Sequence, residues 1–138
     1  MEINYPIILT CGLLAMALGA VWYGPLFGKH WMRIIGATEM DEMRRKEMQK
    51  KALPLYVIQF VLVLFQVHVL VTLIESGVYN SGIETALWVV AAFVVPTVAA
   101  AAMWTNDARE VVWGRFLIQS GYYLVLFVAF GYIITTWG

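Results

Sequence analysis

Charge is missing from four long stretches of this chain. No Asp, Glu, Lys or Arg occurs in Ile7–Trp22, Leu53–Ile74, Ala86–Trp104 or Phe116–Trp137. Ion-coupled carriers and proton relays need a group that takes up and releases charge inside such a stretch. A small four-helix drug exporter would show an acid in its first one, and Ile7–Ala20 has none. The single cysteine, Cys11, excludes an intramolecular disulfide and any C-x-x-C redox pair. Set in an apolar run, it reads as a small packing residue. Histidine is scarce too, with only His30 and His68. A metal site needs three or four donors, and no cluster supplies them. No catalytic residue, cofactor or nucleic-acid partner is expected.

What is present is apolar length. The 138 residues are 62% hydrophobic and 13% charged, against about 25% charged in a soluble domain. A hydrocarbon core about 30 Å thick takes roughly 20 helical residues to cross. The pattern predicts an all-α integral membrane protein: one transmembrane domain over 1–138, with spans at about 4–23, 53–74, 85–104 and 116–137. Its connections are short, so an antiparallel bundle of four transmembrane helices is expected. The first run lacks the basic n-region of a signal peptide, carrying only Glu2 before it, and is expected to be a retained span.

The nine basic residues are confined to two places. Lys29, Arg33, Arg44, Arg45, Lys46, Lys50 and Lys51 separate the first two runs; Arg109 and Arg115 separate the last two. Four crossings put both groups on one side. Basic loops stay in the cytoplasm, which predicts the inner membrane with both termini outside. Aromatic belts are expected at the two boundaries. Trp22, Tyr23, Trp31, Tyr56, Trp104 and Trp113 form the inner one; Tyr5, Tyr79, Trp88, Tyr132 and Trp137 form the outer.

The first basic loop is long enough to hold structure. Gly24-Pro25-Leu26-Phe27-Gly28 predicts a stop to the first helix, because proline disfavours helix in the residue before it. Lys29 to Ile35 mixes basic and apolar residues and is expected along the headgroups. Thr38 and Asp41 suggest a capping box. From Glu39 to Lys51, the pairs Asp41–Arg45, Glu42–Lys46 and Glu47–Lys51 predict a short exposed, amphipathic helix, one that can run straight into the second span as far as Pro54, which suits a first turn. A bend is expected at Pro96 in the third span. Gly12, Ala15 and Gly19 on the first span, and Ala99–Ala102 on the third, mark close helix packing.

Polar residues within the spans are few. Gln59, Thr97, Gln119 and Ser120 fall towards the basic side; Thr10, Gln66, His68 and Tyr132 fall towards the other. Gln59 and Gln66 are seven apart and share a face. The candidate intramembrane residues are Gln59, Gln66, His68, Thr97 and Gln119. They can line a polar path or serve as interhelical hydrogen bonds, and the second use is the commoner. A neutral His68 bonded to Thr10, Tyr132 or a backbone carbonyl is expected. Lys29, Trp31, Arg33, Arg109 and Arg115 are candidate contacts to headgroups or a partner. Anionic lipid at the cytoplasmic face would suit them, at up to about 1 kcal/mol per cation.

Two motifs carry a family resemblance. Val21-Trp22-Tyr23-Gly24-Pro25-Leu26-Phe27-Gly28-Lys29-His30-Trp31 resembles the segment after the first span of small bacterial membrane proteins grouped as domain of unknown function 1761. Trp113-Gly114-Arg115-Phe116-Leu117-Ile118-Gln119-Ser120-Gly121-Tyr122 is similar to that family's entry to its last span, where asparagine is frequent in place of Gln119. The resemblance implies a four-helix fold in a membrane and brings no activity.

Three functions remain open. The expectation is a non-catalytic structural or accessory subunit that binds lipid, a partner or further copies of itself in a homo-oligomer or larger membrane complex. The alternatives are a small channel or carrier for a neutral or weakly polar solute, lined by Gln59, Gln66, His68 and Gln119, and an intramembrane enzyme or redox subunit.

Overall fold

The structure, a computed structural model, describes residues 4–36 and 41–137. The elements are α1 (Tyr5–Val21), a π-helical turn (Trp22–Leu26), α2 (Gly28–Ile34), α3 (Glu42–Glu75), α4 (Gly82–Val89), a second π-helical turn (Val90–Val94), α5 (Val95–Met103) and α6 (Arg109–Trp137). No strand occurs among the described residues. Four helical stretches are long and apolar enough to cross a membrane: Tyr5–Leu26, Glu42–Glu75, Gly82–Met103 and Arg109–Trp137. Each overlaps one expected span.

Proline shapes three of the four. Asn4 accepts from the Ile7 N–H at 3.3 Å and opens α1. The first helical stretch ends within residues 24–28 as expected, at Leu26, but it passes Pro25 by a wider turn before it stops. The chain widens by one residue, and the Phe27 N–H reaches the Trp22 carbonyl at 3.0 Å, five residues back. A wider turn relieves the clash between the proline ring and the carbonyl four residues before it. The bend expected at Pro96 takes the same form. The Val95 N–H reaches the Val90 carbonyl, so the wide turn just precedes the proline. Pro54 is a correction, because α3 runs through it. It lies well inside the helix, not in a first turn. Lys50 and Pro54 are both exposed, so the carbonyl left without a donor is not sealed in the core. The expected loop helix is therefore the leading part of α3, capped by Asp41, which accepts from the Arg44 N–H at 2.8 Å. Thr38 and Glu39, parts of the expected start signal, lie outside the described residues.

The last helix organises the rest. α6 touches each of the five other α-helices, while α3 packs chiefly on α1. Phe130 and Leu126 of α6 meet Leu70, Val63 and Val67 of α3, with Val90 and Cys11, in a fully buried core. Cys11 is a packing atom there. Outside this core, α3 leaves Leu55, Val57, Ile58, Val61, Leu62 and Phe65 more than half exposed. A helix apolar on its outer face needs a covering that water does not give, and lipid does.

At the end away from the basic residues, two helices nearly touch. A Cβ on Gly82 of α4 would meet the Gly131 carbonyl oxygen at 2.6 Å and also Thr135 Oγ1. A Cβ on Gly131 would meet the Gly82 carbonyl oxygen at 2.5 Å. Ala86 and Val90, four and eight residues after Gly82, are buried on the same seam. Small residues at that spacing let backbones approach where packing must drive association. Gly77, at φ +72°, terminates α3 before the turn, and Ser81 caps α4 by accepting from the Glu84 N–H at 3.1 Å. Tyr79 stacks on Trp88 across that turn, with ring centroids 5.8 Å apart.

Candidate functional site

The end that carries the basic residues is built from rings. The π-turn presents Trp22 and Tyr23 in succession, and α6 presents Tyr122 and Tyr123. Tyr23 lies 5.6 Å from Tyr122 and 4.8 Å from Trp31 of α2, between ring centroids. Trp22 lies 6.5 Å from Tyr122 and 5.0 Å from Phe27. Tyr122 and Tyr123 meet edge to face at 5.2 Å. Such pairs each contribute about 0.5–1.5 kcal/mol beyond their buried area.

Two of the rings are pinned to the backbone of the opposite span. Trp22 Nε1 donates to the Ile118 carbonyl at 2.9 Å, and the buried Tyr122 hydroxyl donates to the Ala15 carbonyl at 2.8 Å. Glycines make the room. A Cβ on Gly121 would come within 3.0 Å of the Trp22 ring, and one on Gly19 within 3.4 Å of the Tyr122 hydroxyl. The arrangement is reciprocal: each span offers one ring and one glycine to the other. Gly114 likewise faces Ile34 of α2, at 3.1 Å from a Cβ built there. Gly12 turns elsewhere, towards Leu64 and Phe60 of α3. The small face of the first span thus serves two neighbours.

Beside the rings lies a cleft of about 500 Å³. Ala15, Gly19 and Ala20 line one wall; Tyr56 and Gln59 of α3 line another; Tyr23, Trp31 and Tyr123 complete it. With the Tyr122 hydroxyl committed to Ala15, the phenols of Tyr23, Tyr56 and Tyr123 have no hydrogen-bond partner among the described residues. The cleft therefore offers phenolic donors and one amide, with no carboxylate among its lining residues. A second cleft of about 440 Å³, between α5 and α6, is lined by Ala99, Met103, Arg109, Trp113 and Phe116, among others. At its edge Arg115 pairs with Asp107 at 3.2 Å.

The intramembrane polar residues named from the sequence are not brought together. Gln59 is exposed and lines the aromatic cleft; Gln66 is exposed and lines a different groove with Phe65, Phe93 and Phe127; Gln119 is half-buried and lines neither. Thr97 is exposed and turns its hydroxyl back to the Phe93 carbonyl at 2.6 Å. Thr10 does the same to the Pro6 carbonyl at 2.7 Å. His68 is half-buried, and among the described residues its ring makes no hydrogen bond. The expected tie to Thr10, Tyr132 or a carbonyl is therefore corrected. His68 contributes its backbone carbonyl, which accepts from Thr72 at 3.0 Å. No three His, Cys, Asp or Glu side chains come together among the described residues. Of the contacts expected for headgroups or a partner, Lys29, Arg33 and Arg109 are exposed, Arg115 is half-buried in its ion pair, and Trp31 is turned into the cleft.

Sequence reasoning missed Tyr122, Tyr123 and Gly121 as site residues. It placed Trp22 and Tyr23 in an aromatic belt, whereas both face α6. The available signal was a Gly-Tyr-Tyr run inside an otherwise aliphatic span.

These features define a class: an all-helical chain with four helices long and apolar enough to span a membrane, its first and last stretches tied by rings and glycines. The Trp22–Ile118 tie joins the two motifs that carried the family resemblance, and Tyr122 of the second motif reaches back to Ala15, just before the first. The chain belongs to the family described as Protein of unknown function (DUF1761), whose sequence model matches residues 7–135. No curated protein and no solved structure matches it.

Proposed function

We propose that this chain is a non-catalytic accessory protein of the bacterial inner membrane, an antiparallel four-span bundle that works by binding lipid or a partner subunit. Both termini face outwards, and the basic residues face the cytoplasm with α2 and the leading part of α3 exposed there. The observation that carries the reading is the separation of Gln59, Gln66 and Gln119 from one another, while rings and small residues converge. A solute path would need those amides along one channel. A packed bundle with an apolar outer face and a basic rim suits association within the membrane.

Two measurements test it. A reporter fused after Gly138 is expected to read outside, and one inserted between Arg33 and Asp41 to read inside; the reverse pattern overturns the orientation. Purified in mild detergent, the protein is expected to retain phospholipid, a partner or a defined oligomeric state. A strictly monomeric chain with neither lipid nor partner overturns the role.

A further inference from the structure

We propose that the cleft between α1, α3 and α6 is a binding site for one anionic phospholipid of the cytoplasmic leaflet. The inference rests on the membrane reading above and deepens it by naming the site and ligand. At about 500 Å³ the cleft is of the size that holds small ligands, roughly 300–1,000 Å³. Its walls mix small and donor residues. Ala15, Gly19 and Ala20 leave room for an acyl chain, with the Tyr122 hydroxyl already held by the Ala15 carbonyl. Tyr23, Tyr56, Tyr123 and Gln59 can all donate to ester carbonyl or phosphate oxygens. Beyond them on α3 comes the exposed Lys51. At 1.5 Å per residue, it sits about 8 Å from Tyr56 and about 12 Å from Gln59 along the helix. Its stem can bend back towards a phosphate at the boundary. The exposed Lys29 and Arg33 of α2 add positive charge at the same end of the bundle.

The choice of an anionic lipid follows from charge and from the solvent. An acyl chain already in the bilayer gains nothing by apolar transfer into an apolar cleft. Selectivity must come from the polar groups: the lining supplies donors and no acid, and the cations of the same end of the bundle stand outside it at the rim. Acceptor-rich, negatively charged headgroups fit that set; a zwitterionic headgroup brings a cation that the lysines repel.

The test uses the full chain, native mass spectrometry, and phosphatidylglycerol against phosphatidylcholine at equal concentration. The wild type is expected to retain one phosphatidylglycerol with at least a fivefold preference. Ala20→Phe, which fills the cleft from an exposed position, is expected to lower retention at least fivefold. Gln59→Leu, also exposed and so not a folding mutation, is expected to lower it about threefold. K29E/R33E is expected to remove the headgroup preference while leaving retention of phosphatidylcholine unchanged. Circular dichroism and elution volume should match wild type in every variant. Undiminished retention in both Ala20→Phe and Gln59→Leu overturns the cleft as the site, yet leaves lipid association in place. Equal retention of both lipids by the wild type overturns the anionic choice. Absence of any lipid from the wild type overturns the site, and the accessory reading falls only if partner and oligomer are absent as well.

Discussion

The two ends of the bundle use glycine for opposite purposes. Away from the basic residues, Gly82 and Gly131 bring two backbones together, and nothing fits between α4 and α6. At the basic end, Gly121 and Gly19 receive rings, and the rings keep the first and last spans apart. The first device shuts the structure. The second opens it, because aromatic side chains that hold two helices at a distance leave space beside them. One residue type thus makes a seam at one end and a cleft at the other, depending on whether it faces a backbone or a ring.

The contrast can be broken at the seam first. Gly131→Leu forces two backbones apart that have no side chain to yield. It is expected to destabilise the protein by about 3 kcal/mol or more, as severe overpacking does, measured by unfolding in mixed micelles with denaturing detergent. Stability like the wild type would show that the seam is not tight. Gly121→Val should cost less, about 1–3 kcal/mol, since the Trp22 ring can shift. Its signature is a changed near-ultraviolet circular dichroism with the helix content kept. Trp22→Phe removes one pin and is expected to cost about 0.6–2 kcal/mol, with Tyr122→Phe near the lower figure, in the range of single hydrogen bonds between membrane helices. Because their rings are near neighbours, the double variant is expected to depart from additivity; a strictly additive pair would separate the two pins. Asp107→Asn breaks the partly exposed pair with Arg115 and should change stability by no more than about 1 kcal/mol. A larger loss would move weight from the rings to the loop.

How much of this could be read beforehand depended on the range of the interaction. The four spans were legible because hydropathy accumulates over some twenty residues in a row. Asp41 was recognised as part of a helix start, but its role as the cap was assigned to Thr38. The stop at residues 24–28 was legible, but the π-turns were not, since a proline in sequence does not show that the turn before it widens by one residue. Thr10 and Thr97 were counted as possible glue between helices, yet a hydroxyl in a helix has its own carbonyl four residues back within reach. The ring-and-glycine exchange was the least legible. Trp22 at a span end has the ordinary signature of an interfacial aromatic. Only its contact with Gly121 and Ile118, far along the chain, gives it another purpose.

That separation has a consequence for how the protein is made. The donors and acceptors of the two pins stand 96 and 107 residues apart, so one partner leaves the ribosome early and the other near the end of synthesis. Until α6 inserts, the indole N–H of Trp22 has no Ile118 carbonyl to meet, and the largest share of the core is missing. Before α6 is made, α1 and α3 can already pack through Gly12 against Leu64 and Phe60, while α4 and α5 lack the helix they chiefly pack on. The last helix to arrive then completes the core, and a chain cut short before it lacks Leu126, Phe127 and Phe130.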